Sequence, residues 1–131
     1  LKVETDRQNV IKNMINYYAK GTLEIKKYDS KNRVLANVKF NILDENNNVV
    51  DTIVTDENGI ATSKKLPLGT YFYQEIEAPE NVVIDTNKYE FGLTQNNQVI
   101  TKTVINELVE GTLKIIKVDE NSKEIMKMIL T

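Results

Sequence analysis

Lys27 is the residue whose position asks for chemistry. In Thr22-Leu-Glu-Ile-Lys-Lys-Tyr28 the side chains alternate as in a strand, and Leu23, Ile25 and Lys27 share one face. If Leu23 and Ile25 face a core, a straight strand sends Lys27 there too. A buried ammonium is costly and responds by losing its proton, which leaves a neutral amine able to act as a nucleophile. The alternative is an outward bend at the strand end, with the charged head snorkelling to water, since inward-pointing edge lysines are common. Pattern alone leaves both open.

Other reactive groups are few. Glu75 and Glu77 share a strand parity, as a carbohydrate-active acid pair would, but no cleft signature accompanies them. Asp44, Glu45, Asp56 and Glu57 fall in turns without the spacing of a calcium loop, so they read as solvated turn residues. Cys and His are both absent, which removes thiol and imidazole nucleophiles, zinc ligands and the usual general base. No metal, cofactor or small-molecule substrate is therefore expected. A net charge of -2, with acids and bases interspersed, gives no footprint for nucleic acid or an anionic membrane. No apolar run approaches the ~20 residues of a membrane span.

The chain also repeats itself. Residues 1–35 and 91–125 align without a gap and agree at ten positions, among them Lys12/Lys102, Asn16/Asn106, Gly21/Gly111, Leu23/Leu113, Ile25/Ile115, Lys27/Lys117 and Asp29/Asp119. A unit of that length suits a whole small domain rather than a solenoid turn. The expected organisation is one complete module over 21–110, preceded in 1–20 by the last strand and linker of one copy. It is followed in 111–131 by the first strand or strands of a truncated next copy. The linker Glu107-Leu-Val-Glu110 is not rich in Gly or Ser, so neighbouring modules should stack closely.

Strands must position these groups. Val38-Lys-Phe-Asn-Ile42 alternates, Thr70-Tyr-Phe-Tyr-Gln-Glu-Ile76 is aromatic and β-branched, and Gln95-Asn-Asn-Gln98 reads as a hairpin between Tyr89–Leu93 and Val99–Ile105. Asp56-Glu-Asn-Gly59 and Leu66-Pro-Leu-Gly69 are turns. No segment keeps a 3.6-residue apolar period. The fold expected is all-β, a seven-stranded antiparallel β-sandwich.

Four motifs in order carry a family resemblance: Gly21-Thr-Leu-Glu-Ile-Lys-Lys-Tyr-Asp29, Thr55-Asp-Glu-Asn-Gly-Ile-Ala61, Leu66-Pro-Leu-Gly-Thr-Tyr71 and Glu75-Ile-Glu-Ala-Pro79. Together they resemble the B-type repeat of Gram-positive collagen adhesins and pilins, the prealbumin-like, inverted immunoglobulin-type sandwich called Cna-B or SpaA-like. The resemblance covers essentially all of 21–110. It departs from the family after the Ala-Pro corner, where Asn81-Val82 stands in place of Gly-Tyr. Many such modules close an internal amide between a first-strand Lys and a last-strand Asn, assisted by a buried Glu. The resemblance places the Lys on Lys27, the Glu on Glu75 and the Asn on Asn106, with Asn16 and Lys117 the equivalents in the flanking partial repeats.

That chemistry is physically reasonable. Desolvation makes the amine neutral, and a buried carboxyl favours its protonated form, which can donate to the amide oxygen and relay protons to departing ammonia. Folding holds amine and amide together, a gain that can reach roughly 7–11 kcal/mol. What the resemblance implies is a spacer repeat of an extracellular adhesin or pilus, anchored to the cell wall through a region outside 1–131. Its partners would be adjacent repeats of the same protein, with no substrate turnover. The competing expectation is a module that itself engages a host extracellular-matrix protein such as collagen.

Overall fold

The computed structural model describes residues 7–11, 18–109, 113–117 and 126–130. Ten strands follow in chain order: β1 Lys20–Asp29, β2 Lys39–Asp44, β3 Val49–Val54, β4 Ile60–Thr62, β5 Leu66–Pro67, β6 Gly69–Glu77, β7 Lys88–Leu93, β8 Val99–Asn106, β9 Leu113–Lys117 and β10 Met126–Leu130. One sheet runs β3-β2-β6-β7; in the other, β1 is flanked by β8 on one side and by β4 and β5 on the other. The two sheets bury Leu23, Ile25, Phe40, Ile42, Tyr73 and Phe91 between them. Each such side chain contributes about 1.5–3 kcal/mol on burial. β9 and β10 pair with each other, antiparallel.

The sandwich carries eight strands over 20–106 rather than seven. The run from Ile60 to Leu66 splits because Ser63 replaces a rung of the ladder. Its N–H donates to Leu23 O, while its hydroxyl accepts from Leu23 N–H, both at 2.9 Å. β4 therefore pairs with residues 24–26 of β1, and β5 restarts at 20–21.

Among the described residues, every strand pairing is antiparallel but one. β1 and β8 run parallel, Thr22 beside Val99 through to Asp29 beside Asn106. First and last strands are joined by the whole intervening module, so no hairpin dictates their direction. The consequence is geometric. The chain reaches the sandwich at the Lys20 end and leaves at the Asn106 end, roughly 30 Å away for a strand of this length. Gly21 fits where it does because a Cβ there would lie 2.9 Å from both Gln98 O and Leu93 Cδ2.

One turn device recurs three times. Asp29 Oδ1 accepts from the N–H of Lys31 and Arg33, Asp44 Oδ1 from Asn46 and Asn48, and Asp56 Oδ1 from Asn58 and Ile60. The third residue after each Asp has a positive φ: Asn32 at 66°, Asn47 at 68° and Gly59 at 74°. Asp44 and Asp56 are thus occupied by backbone donors, as turn residues should be.

Residues 7–11 are helical, where the internal repeat would put the counterpart of the start of β8.

Candidate functional site

β1 keeps its alternation to its last residue, with Gly21, Leu23, Ile25, Lys27 and Asp29 all buried. Lys27 is 0 % exposed, so the snorkelling alternative does not hold. The strand cannot bend outward because both of its edges are tied there. Lys27 N–H donates to Gly59 O (2.8 Å), Leu35 N–H donates to Lys27 O (3.1 Å), and β8 stays in register to Asn106. The Asp29 turn then fixes the strand end, reinforced by Arg33 Nε donating to Asp29 Oδ2 at 2.9 Å.

Lys27 Nζ donates to Tyr28 O (3.2 Å) and Val104 O (3.4 Å) and stands 4.0 Å from Glu75 Oε1. Burial pulls its pKa down from 10.5 to about 8, against the opposing pull of the Glu75, Asp29 and Asp85 charges. At pH 7 roughly one amine in ten is then neutral, against about one in three thousand for an ordinary lysine. Below its folded pKa the buried cation opposes folding, so this lysine costs stability unless its chemistry changes.

Glu75 reaches the site from β6, whose parity is ambiguous in the sequence because both faces carry large apolar residues. In the structure Tyr71, Tyr73 and Glu75 point inward, whereas Phe72 is half-buried and Ile76 is exposed. A register shift sets Phe40 beside Glu75 but Lys39 beside Glu77, so the bulge falls at Ile76 and turns Glu77 out to solvent. Glu77 lies 3.6 Å from Lys39 Nζ. The two glutamates therefore form no acid pair.

Asn106, the last residue of β8, is 2 % exposed, although the strand before it is only half-covered. Its Nδ2 donates to Glu75 Oε2 at 2.5 Å, and the Asp85 N–H donates to the same oxygen at 3.1 Å. Glu75 Oε1 and Asn106 Oδ1 are buried without a hydrogen-bond partner. The amide thus offers its N–H to Glu75, not its oxygen. An ionised carboxylate only accepts, and a protonated one would favour the amide turned over.

The structure accordingly brings together Lys27, Glu75 and Asn106, each at most 3 % exposed. Lys117 ends β9, and Asn16 lies outside the described residues. Sequence reasoning missed Asp85 and Tyr89, whose only signal was an Asx-type turn inside a loop: Asn87 N–H donates to Asp85 Oδ1 at 3.0 Å. An amine and a carboxamide buried against one carboxyl can perform one acyl transfer, from nitrogen to nitrogen, within the molecule. No external substrate reaches groups this buried.

Residues 21–108 match the SpaA family, described as a prealbumin-like fold domain. The collagen adhesin of Staphylococcus aureus is 38% identical over 96 residues, covering 66% of this chain and 8% of that protein. The trypsin-resistant surface T6 protein of Streptococcus pyogenes serotype M6 is 24% identical over 104 residues, 79% of this chain and 19% of its own length. The chain thus spans a small part of either relative. Among solved structures, the Bacillus anthracis TIE protein superposes with a TM-score of 0.67 at 39% identity, covering 71% of this chain and 18% of that one. The major pilin subunit BcpA of Bacillus cereus gives 0.65 at 25% identity, covering 73% and 31%.

Proposed function

Since this chain belongs to the SpaA family of prealbumin-like domains, we propose that it is a stalk repeat of a Gram-positive surface adhesin or pilus, closed by a self-formed amide between Lys27 and Asn106. The observation that carries this reading is the contact of both groups with Glu75 inside the sandwich. Neutral Lys27 Nζ attacks Asn106 Cγ, the Cγ–Nδ2 bond breaks, and one ammonia leaves. Glu75 relays the protons. Loss of ammonia makes the step irreversible in practice, and it removes the buried cation at the same time.

The parallel β1 and β8 support the spacer role, because modules joined end to end would extend rather than fold back. The partners are then neighbouring repeats. The boundaries proposed are a module over 21–110, with parts of two further copies in 1–20 and 111–131. In support, β9 lies over 113–117, the counterpart of 23–27 in β1. A surface location with anchoring through a separate region goes with this reading.

Intact mass of the purified chain tests the bond. The chain is expected to be lighter than its sequence by one ammonia, and Lys27→Ala to show only the mass of the substitution. A folded parent at full sequence mass would sink the proposal. A second reading, direct binding of a host matrix protein such as collagen, draws on the likeness to a collagen adhesin. Saturable binding of the isolated chain to collagen would favour it.

A further inference from the structure

Residues 78–87 cross the end of the sandwich where Lys27, Glu75 and Asn106 meet, and they are fastened on both sides. Toward the chain's exit, Val83 N–H donates to Glu107 O (2.8 Å) and Val109 N–H to Asn81 O (3.0 Å), with Val82 buried between. Toward the other sheet, Gln74 Nε2 donates to Thr86 O (2.8 Å), and the Tyr89 hydroxyl donates to Asp85 Oδ2 (2.5 Å). The Tyr89 ring stacks on Tyr73, 5.5 Å between centroids, two residues before Glu75 on the same face. The net result is one inward donor, the Asp85 N–H, aimed at Glu75 Oε2.

The two oxygens of Glu75 are thereby made unequal. Oε2 is engaged by Asp85 N–H and by Asn106; Oε1 has no hydrogen bond and faces Lys27. A hydrogen bond to a carboxylate oxygen stabilises negative charge on it and weakens its hold on a proton. We propose that Asp85, latched by Tyr89, is a positioning residue that gives the two oxygens of Glu75 different tasks in the proton relay. Oε1 takes the proton from the attacking Lys27 amine, while Oε2, already accepting from Asn106, keeps the departing nitrogen beside the carboxyl that hands this same proton back. In balance, the Nζ–Cγ bond forms, Cγ–Nδ2 breaks, and ammonia leaves with the proton Glu75 delivers, so the carboxyl ends as it began. This inference rests on the amide-forming reading above.

The charged groups that act on Lys27 are Glu75 from β6, Asp29 from β1 with Arg33 upon it, and Asp85 from the loop; Lys102 shares the inward parity of β8 but stands beside Ile25. Asp85 therefore acts twice, through its N–H on Glu75 and through its charge, which favours the Lys27 ammonium. The two can be separated.

The whole chain is kept in denaturant from lysis, then diluted into buffers spanning the Lys27 titration, and ammonia loss is timed by intact mass. A parent that folds but never loses ammonia would defeat the amide reading itself. Given a parent that reacts, Tyr89→Phe keeps the stacked ring, removes the latch, and should react about 10-fold more slowly. In a Lys27→Ala background, Tyr89→Phe should leave the denaturant midpoint where Lys27→Ala alone puts it. Asp85→Asn keeps the N–H and an acceptor for Tyr89, so its maximal rate should hold while the rate rises at lower pH. Parental rates in Tyr89→Phe would overturn the latch. So would a slow Tyr89→Phe whose midpoint also falls, or an Asp85→Asn that loses the same factor in maximal rate.

Discussion

Lys27 and Glu75 face each other across the core with Nζ and Oε1 4.0 Å apart, and neither side chain meets solvent. Their separation is too long for a hydrogen bond. The amine must therefore close on Oε1 before a proton can pass between them.

Peptide mapping should find one cross-link, between Lys27 and Asn106. A second lysine also touches an asparagine, since Lys88 Nζ contacts Asn47 Oδ1. That pair is exposed and lies outside the core. A Lys88–Asn47 link would show that proximity alone suffices and that burial is irrelevant.

Glu75→Ala should fold yet keep its full sequence mass, because proton relay is lost while the sandwich remains. It should also unfold more readily than the parent. A link from Lys27 to Asn106 closes a loop of nearly the whole module, for which the chain-entropy estimate on comparable disulfides is about 4–5 kcal/mol. Ammonia loss in this variant would remove Glu75 from the mechanism.

Asn106→Ala leaves Lys27 unable to react and should make stability depend on pH in a particular direction. The folded pKa of Lys27 is about 8, below its ordinary 10.5. Between those values the unfolded chain binds a proton that the folded chain does not, so stability rises with pH across that window. Below it the penalty is fully present. The cross-linked parent, whose Lys27 nitrogen is an amide, should lack this rise. Urea unfolding of both proteins over the window cancels the tyrosines they share, and parallel curves would contradict the assignment.

Gly59→Ala should destabilise the module by about 1–3 kcal/mol, since φ of 74° is unfavourable for alanine and strained backbone of this kind carries that cost. Its Cβ would also lie 2.7 Å from Lys27 O, on the strand that aims the amine. Slower ammonia loss should accompany the lost stability. Unchanged thermal unfolding would mean the turn yields more easily than its geometry suggests.

Some of this was legible in the residues and some was not. The period of two in Leu23, Ile25 and Lys27 allowed the burial of Lys27 without deciding it, because the ties on both edges that hold β1 straight come from residues distant in sequence. Glu75 was harder, since Phe72 and Ile76 are as apolar as Tyr71 and Tyr73, and only the bulge separates Glu75 from Glu77. The break at Ser63 depends on a hydroxyl standing in for a backbone acceptor, which no propensity records. The Asp-x-x-Asn or Asp-x-x-Gly turns at Asp29, Asp44 and Asp56 were readable as turns at the latter two. The first sits at a buried strand end, where Asp29 looks like part of a motif. Asp85 and the parallel pairing of β1 with β8 arise from contacts distant in sequence, and local pattern does not contain them.

The parallel pairing has a consequence for a molecule held at both ends. Tension arriving at Gly21 would run up β1 as far as Lys27, cross the proposed amide to Asn106, and pass out at Glu107. Residues 28–105 would carry none of it. Without the amide, the same pull would shear the β1–β8 hydrogen bonds against one another and could draw the intervening chain out to its full length. With it, the load-bearing route is covalent throughout and contains only a few residues of one strand. A filament of such modules would be nearly inextensible, and its compliance would be confined to the short segments between one sandwich and the next.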